Sequence, residues 1–355
     1  MIITKITKVY ILAPAKESTG GPEALHQLGY NIKKYTNKKK VFMQYVPVSN
    51  KSSINPNYKK YNLNFSKEVE DKKENLLIVP EQYSYIKLSQ KYKKIRKAIW
   101  WLSYDHYVHT LFQKINSPLI KLLIKIPFKI IELFNKLTQY YFGNYTFLDY
   151  LRFIYNDIKI FNKMKFENIN FHFFQSIYAK NILQKNKIKS FPLFDYLNED
   201  FLKKNNSQRV KKKNYICYNS AKSTKFMKKI IADNSNLNFF PLINLTKKEM
   251  ITKLKKSKIY MDFGTHPGKD RMPREAAILG NCVITNKKGS ANNKYDIQIP
   301  NEFKFEEKHK NINKIIKTIN KIFQNHKKEQ KKFKSYIKKI KLEKKVFKKQ
   351  INNIF

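Results

Sequence analysis

Short apolar runs alternate with amphipathic stretches from the first residues onward. "KVYILAP" (Lys8 to Pro14) reads as a short buried strand. "ESTGGPEALHQLGYNIKKY" follows as a glycine turn and a helix, with Ser18 or Thr19 before Gly20 and Gly21 and with Pro22 in the first turn. Leu25, Leu28 and Ile32 form that helix's apolar stripe. "VFMQYVPV" (Val41 to Val48), "NLLIVPE" (Asn75 to Glu81) and "KAIWWLSYDHY" (Lys97 to Tyr107) supply three more strands. Strands separated by helical or long connections predict a parallel sheet.

The pattern changes from about 109 to 165. Leu119, Leu122, Leu123, Ile126, Ile130, Leu133 and Phe134 fill one helical face. Ile120, Ile124, Phe128 and Ile131 widen it beyond an ordinary core stripe. Lys114, Lys121, Lys125, Lys129 and Lys136 share a narrow arc on the other side, and Ser117-Pro118 is a helix start. Pro127 should kink or divide the segment. Residues 118–137 thus predict either an interfacial helix on an anionic membrane surface, the reading preferred, or an insertion packed on the N-terminal domain. "NINFHFFQSIYAKNILQKNKI" reads as a strand and a helix, "FPLFDYLNEDF" as a short strand and a connection, and polar 202–213 as a linker. A second alternating unit follows, from "NYICYN" through "KIYMDFG" to "NCVITN". The tail is helical and rich in Lys.

Composition changes the picture in one respect. With 42% hydrophobic and 14% aromatic residues in 355, the chain can bury a core of about two domains and is not disordered. Its net charge of +47 suggests nucleic acid, but Lys, Asn, Ile, Tyr and Phe are the residues of A/T-rich codons, and Lys is spread nearly everywhere. No specific nucleic-acid partner is therefore expected, although anionic partners are favoured. Cys217 and Cys282 sit in apolar runs and read as core residues in a reducing cytosol, His172, Trp100 and Trp101 read as core, and no signal peptide or spanning helix is expected.

Against this background, "MDFGTHPGKDRMPREAAILGNCVIT" (Met261 to Thr285) is unusual. The chain holds 8 Gly and five Arg, yet Gly264, Gly268, Gly280, Arg271 and Arg274 fall here. Where Lys is the common cation, Arg is kept for its planar fork, and scarce Gly for backbone positions closed to other residues. The segment reads as strand, loop and short helix capped by Gly280. Loops at the C-terminal ends of parallel strands bind ligands. His266, Lys269, Arg271 and Arg274, with Gly268 and a helix start, suit a diphosphate, and Glu275 can accept bonds from ribose hydroxyls.

"PREAAILGNCVIT" resembles the C-terminal signature of GT-B glycosyltransferases, a Glu-Ala-Met-Ala-x-Gly-type helix before a strand. "KKGSA", containing Ser290, occupies the family's following glycine loop; "YNSAKSTKF" matches its Lys-Gly loop; "STGGPEALHQL" matches its N-terminal glycine loop. The resemblance implies an α/β fold of two Rossmann-like domains whose parallel sheets face a cleft. The implied layout is an N-terminal acceptor-side domain (1–201, with a helical insertion at about 109–165), the linker, a C-terminal nucleotide-sugar domain (214–325) and a basic helix (326–355). It implies Glu275 on the ribose and a donor site of Gly20, Gly21, Lys222, Gly268, Lys269, Asp270, Arg271, Arg274, Glu275 and Ser290. The acidic residue that retaining members carry eight positions before the helix Glu is here Pro267, with His266 and Asp270 as its neighbours. Together with His26, a base candidate on the first helix, and Asp105 in "SYDHYVH", His266 completes the catalytic candidates. The implied activity is metal-independent hexosyl transfer, without cofactor, from a nucleotide sugar to a glycan or lipid-linked acceptor. Its expected setting is surface polysaccharide synthesis, in the cytoplasm or peripheral on the membrane. The rival readings are a GT-B-shaped sugar-nucleotide epimerase and a basic nucleic-acid-binding protein.

Overall fold

The computed structural model describes residues 3, 5–36, 40–46, 55–115, 118–142, 146–154, 166, 168–203 and 210–355, without the side chains of 135–142 and 148. Half of the expected linker (204–209), the side chain of Lys136 and Ser117 lie outside the described residues.

The chain forms two compact units, 1–114 with 155–196 and 343–355, and 115–154 with 197–342. The first is built on a seven-stranded parallel sheet ordered β3-β2-β1-β4-β5-β6-β7. Its centre is β1 (Lys8–Pro14), β4 (Asn75–Pro80) and β5 (Arg96–Trp101), apolar runs covered on both faces. Flanking them are β2 (Lys40–Val46), β3 (Asn64–Phe65), β6 (Phe171–Phe174) and β7 (Phe191–Pro192). Helix α1 (Gly20–Tyr35) buries Leu25, Leu28 and Ile32 in this core. Trp100 and Trp101 are fully buried, and the Trp101 indole donates to His172 Nδ1 at 3.1 Å. Phe347, Ile351 and Ile354, at the end of α12 (Lys334–Ile354), complete the core.

The second unit carries a five-stranded parallel sheet ordered β12-β11-β10-β8-β9. Its strands are β8 (Lys213–Tyr218), β9 (Asn238–Pro241), β10 (Ser257–Asp262), β11 (Cys282–Asn286) and β12 (Lys304–Phe305). Helix α10 (Arg271–Ile278) ends where Gly280, at φ +85°, turns its N–H back to the Ala277 carbonyl at 3.0 Å. Both cysteines are buried and unbridged.

Helices α4 (Pro118–Phe142) and α5 (Phe147–Phe153) are inserted between β5 and β6 in sequence but group with the second unit, not with the N-terminal domain as expected. Polar contacts tie them to the second unit. Arg152 donates to the Thr265 carbonyl at 3.0 Å, Lys288 pairs with Asp149 at 3.0 Å, and Lys225 with Glu132 at 3.4 Å. Pro127 is accommodated within α4, and no helix among the described residues is long and apolar enough to cross a membrane.

Candidate active site

In the second sheet, β8 and β10 are neighbours whose chain connections run to opposite sides, which makes the gap beyond their C-terminal ends a topological switch point. Three loops meet there. Gly264 follows β10; a Cβ on it would lie 3.1 Å from Lys222 Cβ and 2.9 Å from Asp262 Oδ1. Gly289 follows β11 at φ +50°, and a Cβ on it would lie 2.1 Å from the His266 carbonyl oxygen. Ser290 N donates to that carbonyl at 2.9 Å, and Asn286 Nδ2 to the Gly264 carbonyl at 2.6 Å. Glycine permits these approaches because it has no side chain to place between two backbones.

A buried charge network underlies the loops. His266 is fully buried with a left-handed backbone, φ +45°. Its Nδ1 contacts Asp270 Oδ2 at 2.7 Å and its Nε2 the Asp262 carbonyl at 3.1 Å. Burial works against a charged ring here, but the Asp262 and Asp270 carboxylates outweigh it and raise the imidazole pKa above its ordinary value. Burial likewise opposes the Asp270 charge, yet Lys222, 3.4 Å away, and His266 hold its carboxyl well below the usual carboxylate range. Asp262 accepts from Gly264 N at 3.1 Å and from the Tyr260 hydroxyl at 2.7 Å. Asp262, His266 and Asp270 present ligand-type atoms within 4.8 Å of one another.

Two expectations for this loop need correction. Arg274 does not face outward: it is fully buried, and its Nε and Nη2 donate to the Asp270 and Lys269 carbonyls at 3.1 and 2.9 Å. It shapes the loop. His266, with no exposed surface and both nitrogens engaged, is a positioning residue for Asp270 and Lys222, not an accessible base. The structure does bring Lys222, Gly268, Lys269, Asp270, Arg271, Glu275 and Ser290 to the C-terminal edge of this sheet. Lys269 and Glu275 are largely buried and Arg271 partly so. The left-handed backbone falls on His266 and Gly289, with Gly268 outside that region. The hydroxyls of Ser220 and Ser290 are buried without a hydrogen-bond partner among the described residues.

The first unit encloses both remaining catalytic candidates. Gly20 and Gly21 form the first turn of α1. His26 is buried, with Nδ1 on the Pro22 carbonyl at 2.7 Å, Nε2 on the Tyr45 hydroxyl at 2.9 Å and its ring stacked 4.1 Å from Tyr58. The Pro22 contact requires the proton on Nδ1, so the Nε2 lone pair is taken by Tyr45. Burial lowers its pKa to about 4, and the neutral ring has no lone pair to offer an acceptor hydroxyl. Asp105 is buried and accepts from the Tyr178 hydroxyl at 2.7 Å.

Sequence reading missed Glu81. It follows β4 at the first sheet's own switch point, between β1 and β4. It is buried, accepts from Leu102 N at 3.1 Å, and lies 3.8 Å from His106 Nδ1, a side chain nearly half exposed. Burial raises its pKa to about 8. The signal available was a lone acid directly after the buried run "NLLIVP". Asp149, Arg152, Asp262, Asn286 and Lys288 were also missed. A cavity of about 880 Å³, lined by Lys212, Lys258, Gly280 and His326 among others, opens at the opposite, N-terminal ends of the second sheet's strands and takes no part in this site.

No family model matches the chain, and no curated protein matches it in sequence. Solved structures match its fold. HepE of Anabaena, solved in complex with UDP-glucose, has a TM-score of 0.56 at 8% identity over 98% of both chains. Sucrose-phosphate synthase of Thermosynechococcus elongatus has 0.54 at 9% identity, again over 98% of both. A glycosyltransferase of Rickettsia africae has 0.51 at 12% identity over 99% of this chain and 94% of its own. These likenesses establish the GT-B fold expected from the sequence.

Proposed function

We propose that the protein is a glycosyltransferase that moves a sugar from a nucleotide-diphosphate sugar to a glycan or lipid-linked acceptor. One observation carries this reading: the three loops at the switch point of the second sheet are stitched together by glycine approaches around a cationic, hydroxyl-bearing edge. On this reading Lys222, Lys269 and Arg271 neutralise the diphosphate leaving group, with the α10 N-terminus and the Ser290 hydroxyl as further donors. Glu275 holds the ribose. Arg274 and His266 keep those groups in position, so little reorganisation is required as charge develops. In the first unit, Glu81 and His106 are the acid–base candidates, in place of His26 and Asp105. The GT-B fold shared with HepE, which was solved with UDP-glucose, supports a nucleotide sugar as donor.

The test is a thermal-shift screen against uridine, guanosine, cytidine and adenosine diphosphate sugars, followed by product analysis. A shift with one base class, lost in Glu275→Ala and Arg271→Ala, supports the reading. Isomerised donor without transfer would support the epimerase instead. No shift with any nucleotide sugar would overturn both.

A further inference from the structure

Of the fourteen large hydrophobic side chains exposed among the described residues, eight lie on α4, between Leu119 and Phe134, each 41–65% exposed. The helix has two apolar arcs. Ile124 is buried, Phe128 packs on Phe147 and Tyr150 at ring distances of 5.0 and 5.7 Å, and Glu132 on the same side pairs with Lys225. Leu119, Leu122, Leu123, Ile126, Ile130 and Leu133 lie on the other arc and are exposed among the described residues. Exposed Lys125 and Lys129 follow one edge of this outer arc.

We propose that the outer arc of α4 docks the protein on the anionic surface of a lipid bilayer, with the helix lying in the plane of the interface. A contiguous apolar face of this extent on one helix marks an interaction site. The helix cannot span a bilayer, yet its wide apolar arc edged by lysines suits the boundary between headgroups and acyl chains. Charge selects the occupant. A second copy of a chain carrying +47 would be repelled, whereas an anionic leaflet attracts it. The dock is also tied to the candidate site. Arg152 of α5 bonds Asp149 at 2.7 Å and the Thr265 carbonyl at 3.0 Å, while Lys288 of the β11 loop holds Asp149. The proposal does not depend on sugar transfer, and its test needs no donor.

Co-sedimentation of the full chain with phosphatidylglycerol/phosphatidylcholine vesicles, against phosphatidylcholine alone, tests it at low and high salt. The triple variant Ile126→Ser, Ile130→Ser, Leu133→Ser keeps every charge and alters only outward side chains. Its partition into anionic vesicles should fall by about tenfold or more, and the gap should persist at high salt, where general lysine attraction is screened. Lys125→Gln with Lys129→Gln should weaken binding at low salt. Equal partition of wild type and serine variant under both conditions would overturn the proposal. So would failure of the wild type to bind anionic vesicles, including the case in which sedimentation shows a dimer that the serine variant loses.

Discussion

Gly289→Ala probes the candidate site's architecture most directly. At φ +50°, an L residue pays about 1–2 kcal/mol for the left-handed backbone. The added Cβ would stand 2.1 Å from the His266 carbonyl oxygen and 2.6 Å from that of Thr265, both inside the 3.0 Å floor of real Cβ contacts. Neither obstacle is a side chain that can rotate away. The loops must part by about an ångström, an overpacking cost of roughly 1–3 kcal/mol. That movement also loosens the Ser290 N–H bond to His266, worth about 1 kcal/mol. Together these give about 3–6 kcal/mol, a large share of the roughly 5–15 kcal/mol that holds a typical protein folded. The melting temperature should fall by about 6–24 °C, read by circular dichroism, and any nucleotide-induced shift should shrink with it. Gly21→Ala is the control. Its Cβ would meet only Leu102 at 3.8 Å, in the first turn of α1, where alanine is well accommodated. If Gly289→Ala melts within about 1 °C of wild type, the loops do not meet as described and the basis for a preorganised donor site is gone.

Three further outcomes are expected. Glu81 has a folded-state pKa raised by burial from 4.5 to about 8, so the stability it contributes is full below pH 4.5 and is lost as pH rises through 8. The loss is on the order of 4–5 kcal/mol; Glu81→Gln should flatten urea-unfolding stability between pH 5 and 8, and an unchanged slope would refute the assignment. Arg274→Ala strands two loop carbonyls and should cost about 2–4 kcal/mol of stability by the same measurement. Arg271→Ala should cost less stability than Arg274→Ala yet weaken nucleotide-sugar binding roughly 10- to 100-fold by calorimetry, and equal destabilisation by both arginine variants would contradict the division of roles.

Much of the fold was legible because its central strands are buried on both faces and read as unbroken apolar runs: "KVYILAP", "NLLIVP" and "CVITN" each became a strand. The edge strands β3 and β12 were not, since two residues carry no periodicity. The apolar wealth of α4 was legible as well, but not its orientation. Both arcs are apolar, and the arc that packs is set by Phe147, Tyr150 and Lys225 rather than by the helix's own pattern. The allegiance of α4 and α5 to the second unit hangs on contacts such as Arg152 to Thr265, which are 113 residues apart and leave no local trace.

Scarcity pointed to the loop at the switch point of the second sheet but not to what Arg274 does there. An arginine retained in a lysine-rich chain implies a fork of donors in fixed geometry, and that fork can hold protein carbonyls as readily as phosphate oxygens. Arg274 spans two consecutive carbonyls of its own loop, and Arg152, another of the five arginines, joins a carboxylate to a carbonyl of the same loop. A lysine could reach one partner in each case but could not fix the angle between two. The same holds for Gly264 and Gly289, whose missing side chains admit neighbouring loops. Rare residues here set the shape of the loop. On the proposed reading, much of the contact with the donor then falls to Lys222, Lys269 and Ser290, which loop position and resemblance singled out and scarcity did not. Burial separates the two duties: a guanidinium already committed to two carbonyls cannot also follow charge as it develops on a leaving group, whereas the Lys222 ammonium, 41% exposed and only 3.4 Å from Asp270, can swing between the carboxylate and a phosphate.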